Sequence, residues 1–142
     1  MMPEAHTVRL TIPSRYDYVA CARSVIVGAV AVRSSLVSER LEDLMWVVSE
    51  AVTNAIEANL VTDPSEVVEI QCDIEPGKVK LRVADAGPGL AESAEIQDVA
   101  TAAQLDREGA IGLPLMKHLS DDLSYSSDVT GTVIHLELRQ AG

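Results

Sequence analysis

Over residues 6–12 the chain alternates, with Val8, Leu10 and Ile12 on one side and Thr7, Arg9 and Thr11 on the other. A period of two predicts a half-buried strand. Pro13 and Ser14 end it, and Ser14 stands where it can cap a first helix running to about residue 35. A second helix is predicted from a cap near Ser38 to about Asn59. There Leu41, Leu44, Val48, Ala51, Ala55 and Ala58 recur at three- and four-residue steps as a narrow apolar stripe. Asp63 and Pro64 break the chain. Residues 67–74 and 79–84 then read as two strands joined by Glu75, Pro76, Gly77 and Lys78, a sequence suited to a hairpin turn.

Residues 86–109 have a different texture. Gly87, Pro88 and Gly89 are followed by small and charged residues with weak periodicity, which predicts a loop and mobile lid, roughly 90–109, with one short helix. Residues 111–119 form a short helix, and 123–126 and 132–138 close the chain as an antiparallel pair around Gly131. Strand, two helices, two strands, lid, helix and two strands predict an α+β two-layer sandwich. Its sheet is mixed and mostly antiparallel, with the helices on one face.

Composition adds bounds to this outline. With 142 residues the chain suits one compact domain over 1–142. Apolar residues make up 47%, yet aromatics are only 3% and phenylalanine is absent, so the core must be built from Val, Leu, Ile and Ala. Acids outnumber Lys and Arg 22 to 11, for a net charge of -11. Such a chain repels bare nucleic acid, whose affinity comes from phosphate neutralisation by Lys and Arg, so no direct nucleic-acid partner is expected. An anionic ligand such as a nucleotide would need local amide dipoles and a metal ion.

Cys21 and Cys72 both lie in apolar-rich stretches and read as buried free thiols of a reducing compartment. The N-terminus MMPEAHTVRL lacks a signal-peptide pattern. The apolar stretch at 19–32 is interrupted by Arg23, Ser24 and Gly28 and is too short to span a bilayer, so a cytoplasmic protein without membrane contact is expected. His6, His118 and His135 are scattered and suggest no metal cluster. Trp46 is expected to pack within the second helix, and Glu57 to lie on the surface.

Three segments carry candidate chemistry. In SEAVTNAIEA, Glu50 and Asn54 are four residues apart, on one helix face and one turn apart. Oxygen ligands of that kind suit magnesium and can orient a hydroxyl. Asp85, Ala86, Gly87, Pro88 and Gly89 directly follow an apolar strand. A carboxylate there can accept from an exocyclic amino group, while the glycines let the backbone turn tightly and approach a ligand. Glu108, Gly109, Ala110, Ile111, Gly112, Leu113 and Pro114 open a helix, whose first amides form an anion site. Each segment alone also fits a plain solvated helix face, turn or helix start.

Together and in this order, the three segments resemble the N, G1 and G2 boxes of the GHKL (Bergerat-fold) ATPase and kinase superfamily. Gly131 and Thr132 before the last strand resemble its final conserved element. VVSEAVTNAI is especially similar to the anti-sigma-factor serine kinases of the RsbW/SpoIIAB type. The resemblance implies a protein-serine kinase that binds ATP and magnesium, phosphorylates a serine of an anti-anti-sigma (STAS-domain) protein and sequesters a sigma factor, usually as a homodimer. It implies that Asn54 ligates magnesium, Glu50 acts as general base, and Asp85 binds the adenine amino group with Thr132 nearby. Gly87 and Gly89 would shape the adenine side and hinge the lid. Gly109, Ile111, Gly112 and Leu113 would bring amides to the phosphates.

Two departures stand out. Ala110 occupies a position where the family usually has glycine, with Gly109 displaced by one. Arg107 is the one basic residue between Gly89 and Gly109. Both motivate an alternative, a nucleotide-dependent binding module with little kinase activity. GLPLMKHLSDDL is also similar to the RsbT-like switch kinases, which activate a phosphatase instead.

Overall fold

The computed structural model describes residues 5–33, 38–87 and 109–140, apart from the side chains of 33, 38, 109–113 and 128. Strand β1 is His6–Pro13, followed by a single 3-10 turn at Tyr16–Tyr18. Helices α1 (Val19–Arg33) and α2 (Ser38–Thr62) come next, then strands β2 (Val67–Glu75) and β3 (Lys78–Ala84). Helix α3 is Gly109–Leu119, and β4 (Asp122–Asp128) and β5 (Gly131–Arg139) complete the sheet.

The five described strands are ordered β1-β2-β3-β5-β4, and every pairing is antiparallel, in line with the expected mostly antiparallel sheet. Alternation sets the register. Val8, Cys72, Leu81, Leu136 and Leu123 stand side by side across all five strands, and Leu10, Ile70, Val83, Ile134 and Tyr125 form the next row. Slipping any strand by one residue would turn its apolar row to water. The β2–β3 hairpin closes at Pro76 and Gly77. Pro pre-sets the first turn position, and Gly77 takes φ +71°, which only glycine adopts cheaply.

The three helices among the described residues lie on one face of this sheet, with α2 between α1 and α3. That placement makes the buried side of α2 wider than its predicted stripe. Val47, Val52 and Ile56 are fully buried along with Leu44, Val48, Ala51 and Ala55. A helix with neighbours on both flanks and a sheet beneath buries more than one face.

Four expectations are corrected. Ser14 does not cap the first helix. It is buried, and its hydroxyl donates to the Glu66 carbonyl at 2.7 Å, so α1 begins only after the 3-10 turn. Trp46 does not pack inside: it projects outward from α2 and is 48% exposed. Cys21 is exposed on α1, while Cys72 is buried, and both are free thiols. Helix α2 also runs past Asn59 to Thr62, whose hydroxyl donates back to the Ala58 carbonyl at 3.2 Å.

Arg40 ties the base of the helical layer to the sheet. Its guanidinium meets Asp43 and Asp121, both at 2.7 Å, and donates to the carbonyls of Leu119 and Arg139 at 3.2 Å. One side chain thereby joins the start of α2, the end of α3 and both C-terminal strands. No helix among the described residues is long and apolar enough to cross a membrane.

Candidate functional site

At the end of β3 the backbone leaves the sheet at Asp85. Its amide donates to the Thr132 carbonyl at 2.9 Å, the last rung between β3 and β5. Its Oδ1 accepts from the amides of Gly87 at 2.9 Å and Thr132 at 3.3 Å. Burial pushes the Asp85 carboxyl up to about 6, and the two amides hold it from rising further. Among the described residues Oδ2 has no hydrogen-bond partner, so one oxygen is anchored and the other can accept from a ligand. The Thr132 hydroxyl lies 3.1 Å from that of Ser127.

Two glycines let this turn sit where it does. A Cβ on Gly87 would stand 2.8 Å from the Ala58 Cβ, and closer still to the Ala58 carbonyl. Gly131 has φ +144°, and a Cβ there would lie 2.9 Å from the Ala86 Cα and closer to the Asp85 carbonyl. Among the described residues, the close approach that Gly87 makes is to helix α2. The turn is pressed between β5 on one side and α2 on the other.

A residue that sequence reading missed joins turn and helix. Asn59 is fully buried, and its Oδ1 accepts from the Ala86 amide at 2.8 Å. Its Nδ2 donates to the Ser14 hydroxyl at 2.9 Å and to the Val67 carbonyl at 3.2 Å. The available signal was an asparagine in line with the apolar stripe, a costly place for an amide without partners.

Glu50 and Asn54 are half-buried on α2, and Ala58 continues their line toward the turn. Each step of four residues rises about 6 Å, so Asn54 is one turn from the Ala58–Gly87 contact and Glu50 is two. Among the described residues neither side chain has a hydrogen-bond or ion-pair partner. Helix α3 packs along α2 with its C-terminal Leu119 carbonyl at Arg40, near the start of α2. That contact fixes the C-terminal end of α3 against the start of α2. The free amides of a helix start carry partial positive charge.

Gly109, Ile111, Gly112 and Leu113 belong to the first turns of α3, although the side chains of 109–113 lie outside the described residues. Pro114 is in the body of the helix, where sequence reading had put it in the first turn, and it supplies no amide. Gly89 and the predicted lid over 90–108 also lie outside the described residues. A groove on the opposite face of the sheet, which carries no helix among the described residues, is lined by Gln71, Asp73, Lys80, Arg82, Ser124 and His135 among others, and contains none of the predicted site residues.

The sequence and the fold both match known proteins. Residues 12–138 match the histidine kinase-like ATPase domain family. The anti-sigma F factor of Geobacillus stearothermophilus is 33% identical over 133 residues, 92% of this chain and 90% of that protein. The serine-protein kinase RsbW of Listeria monocytogenes is 29% identical over 132 residues, 89% of this chain and 83% of the relative. Among solved structures, the RsbU and RsbW domains of a Mycobacterium tuberculosis protein superpose with a TM-score of 0.65 at 19% identity, over 94% of this chain and 32% of that one. The histidine kinase domain of a blue-light activated kinase from Erythrobacter litoralis gives 0.58 at 20% identity, over 90% of this chain and 61% of that one. At such identities the structures speak for the fold, and the sequence matches speak for kinship. The chain belongs to the histidine kinase-like ATPase domain family, the GHKL superfamily, in the branch that contains the anti-sigma F factors.

Proposed function

We propose that this chain is a protein-serine kinase that transfers the γ-phosphoryl group of ATP to a serine of an anti-anti-sigma protein, and that it also holds a sigma factor. The observation that carries this reading is the docking of α2 on the turn after β3. The helix that bears Glu50 and Asn54 is the one that fixes Asp85 and Gly87, through Ala58 and Asn59. Kinship with an anti-sigma F factor and with a serine-protein kinase over most of the chain supports the substrate class and the partners.

The residues present suit a nucleotide with its metal. Asp85 offers Oδ2 to the adenine amino group while Oδ1 is held by two amides. Thr132 lies directly beside it, and Gly87 keeps the turn low against α2. Asn54 supplies a neutral oxygen for magnesium, which when bound neutralises charge on the phosphates. The amides at the start of α3, at Gly109, Ile111, Gly112 and Leu113, would hold the phosphates. Glu50 takes the proton from the acceptor serine as its oxygen bonds to phosphorus and the bond to the β-phosphate oxygen breaks. A homodimer in the cytoplasm completes the proposal.

The test is phosphate transfer from ATP to a purified candidate anti-anti-sigma protein. Glu50→Gln should retain ATP binding and lower transfer by about 100-fold or more. Unchanged transfer in that variant would refute the role of Glu50, and absence of ATP binding by the unaltered protein would refute the kinase reading. Ala110 and the single basic Arg107 favour a second reading, a nucleotide-dependent binding module. Sigma-factor binding that depends on nucleotide but comes without any transfer would decide for it. Activation of a phosphatase in place of sigma-factor binding would decide for a switch kinase of the RsbT type.

A further inference from the structure

Asn59 makes three hydrogen bonds from a side chain with no solvent exposure. Its oxygen accepts from Ala86 and its nitrogen donates to Ser14 and Val67, while Ser14 in turn donates to Glu66. Rotating the amide by half a turn would set its NH2 against the Ala86 amide and its oxygen against the Val67 carbonyl, so the partners permit one orientation. The peptide held in this way is the one that follows Asp85.

Among the described residues, Asp85 is otherwise anchored from the sheet side, through Thr132, and by the local bond to Gly87. The bond from Asn59 is the polar contact that registers this turn against α2. Along the helix Asn59 is five residues from Asn54, about 7.5 Å of rise. It therefore sets the spacing between the group that reads the base and the groups that meet the phosphates.

We propose that Asn59 is a positioning residue for base recognition, whose buried amide holds the Ala86 peptide so that the Asp85 carboxylate meets the exocyclic amino group of adenine. This inference rests on the nucleotide-binding reading above. It predicts an effect on the choice of base, which loss of packing alone would not produce.

The test compares ADP with IDP, which carries an oxygen where ADP has the amino group, by calorimetric titration with magnesium present. The unaltered protein should prefer ADP by about tenfold or more. Asn59→Ala should bring the IDP-to-ADP ratio of Kd values at least fivefold closer to one, mostly by weakening ADP. Asn59→Asp, protonated when buried, keeps an acceptor for the Ala86 amide and should retain most of the preference. Should Asn59→Ala fail to show a cooperative thermal transition, Asn59→Ser takes the same measurement. An unchanged ratio in a folded Ala or Ser variant, whatever its thermal stability, overturns the inference. So does an Asp variant that loses the preference as fully as Ala. A native protein that binds both nucleotides equally overturns the base-reading role of Asp85 itself, and this inference with it.

Discussion

Replacing Asp85 by asparagine removes a charge that the fold holds half-buried, while the amide oxygen still accepts from Gly87 and Thr132. The native carboxyl is raised from 3.8 to about 6 because burial disfavours the ion. The folded state thus holds this proton more tightly than the unfolded chain. The stability contributed by that proton is fully present below 3.8 and is lost as pH rises through about 6. At pH 7 the native protein therefore carries a charge that asparagine would relieve. A tenfold change in protonation is worth about 1.4 kcal/mol, and solvent screening at a half-buried group leaves a net of about 1 kcal/mol. For a domain of this size that corresponds to about 3 °C in Tm. Without nucleotide, Asp85→Asn should melt about 3 °C above the native protein at pH 7, with the gap closing toward pH 4.5. Melting both proteins side by side cancels the titration of the other carboxylates. The variant should also bind ADP at least tenfold more weakly, since its NH2 faces a donor where an acceptor is needed. A variant less stable than the native protein at pH 7, or a gap independent of pH, would refute the account of the buried charge.

Gly131→Ala should cost about 3 kcal/mol, because its φ is positive and its Cβ would enter the space of the Asp85 carbonyl; a urea midpoint within error of native would contradict this. Arg40→Met should lower stability by about 2–3 kcal/mol, since Asp43, Asp121 and two carbonyls lose their shared donor. Recovery of full stability in Arg40→Lys would show that the forked geometry is unimportant. Of the two thiols, Cys21 should react with an aromatic disulfide reagent at once in the native protein. Cys72, buried and pushed up to about 12, should react only on unfolding. Two equally fast thiols would count against the packing of β2.

Elements and candidate chemistry differ in how far local pattern reveals them. The strands were legible from alternation, because one-sided burial imposes a period of two, and Pro76-Gly77 marked the hairpin. The paired Glu50 and Asn54, Asp85 ahead of its glycines and the glycine-bearing start of α3 were legible from spacing, because each arrangement is local to one element. Trp46 and Cys21 were misplaced because an apolar residue on a helix goes inward or outward according to the neighbours it meets, which the chain does not spell out. Ser14 was misread because its hydroxyl can satisfy a helix start or a distant carbonyl, and the fold supplies the carbonyl of Glu66.

The sequence by itself determined the α+β layering, the inward and outward faces of the strands and the residue types of the candidate site, since these follow from periodicity and from chemistry carried within single segments. Tertiary structure alone decided what Gly87 and Gly131 are for, that Arg40 clamps four elements, and that Asn59 joins α2 to the turn at Asp85. Those contacts span 27 to 99 residues of chain. A hydrogen bond or a steric limit between such distant segments exists only once the hydrophobic layers have brought them together.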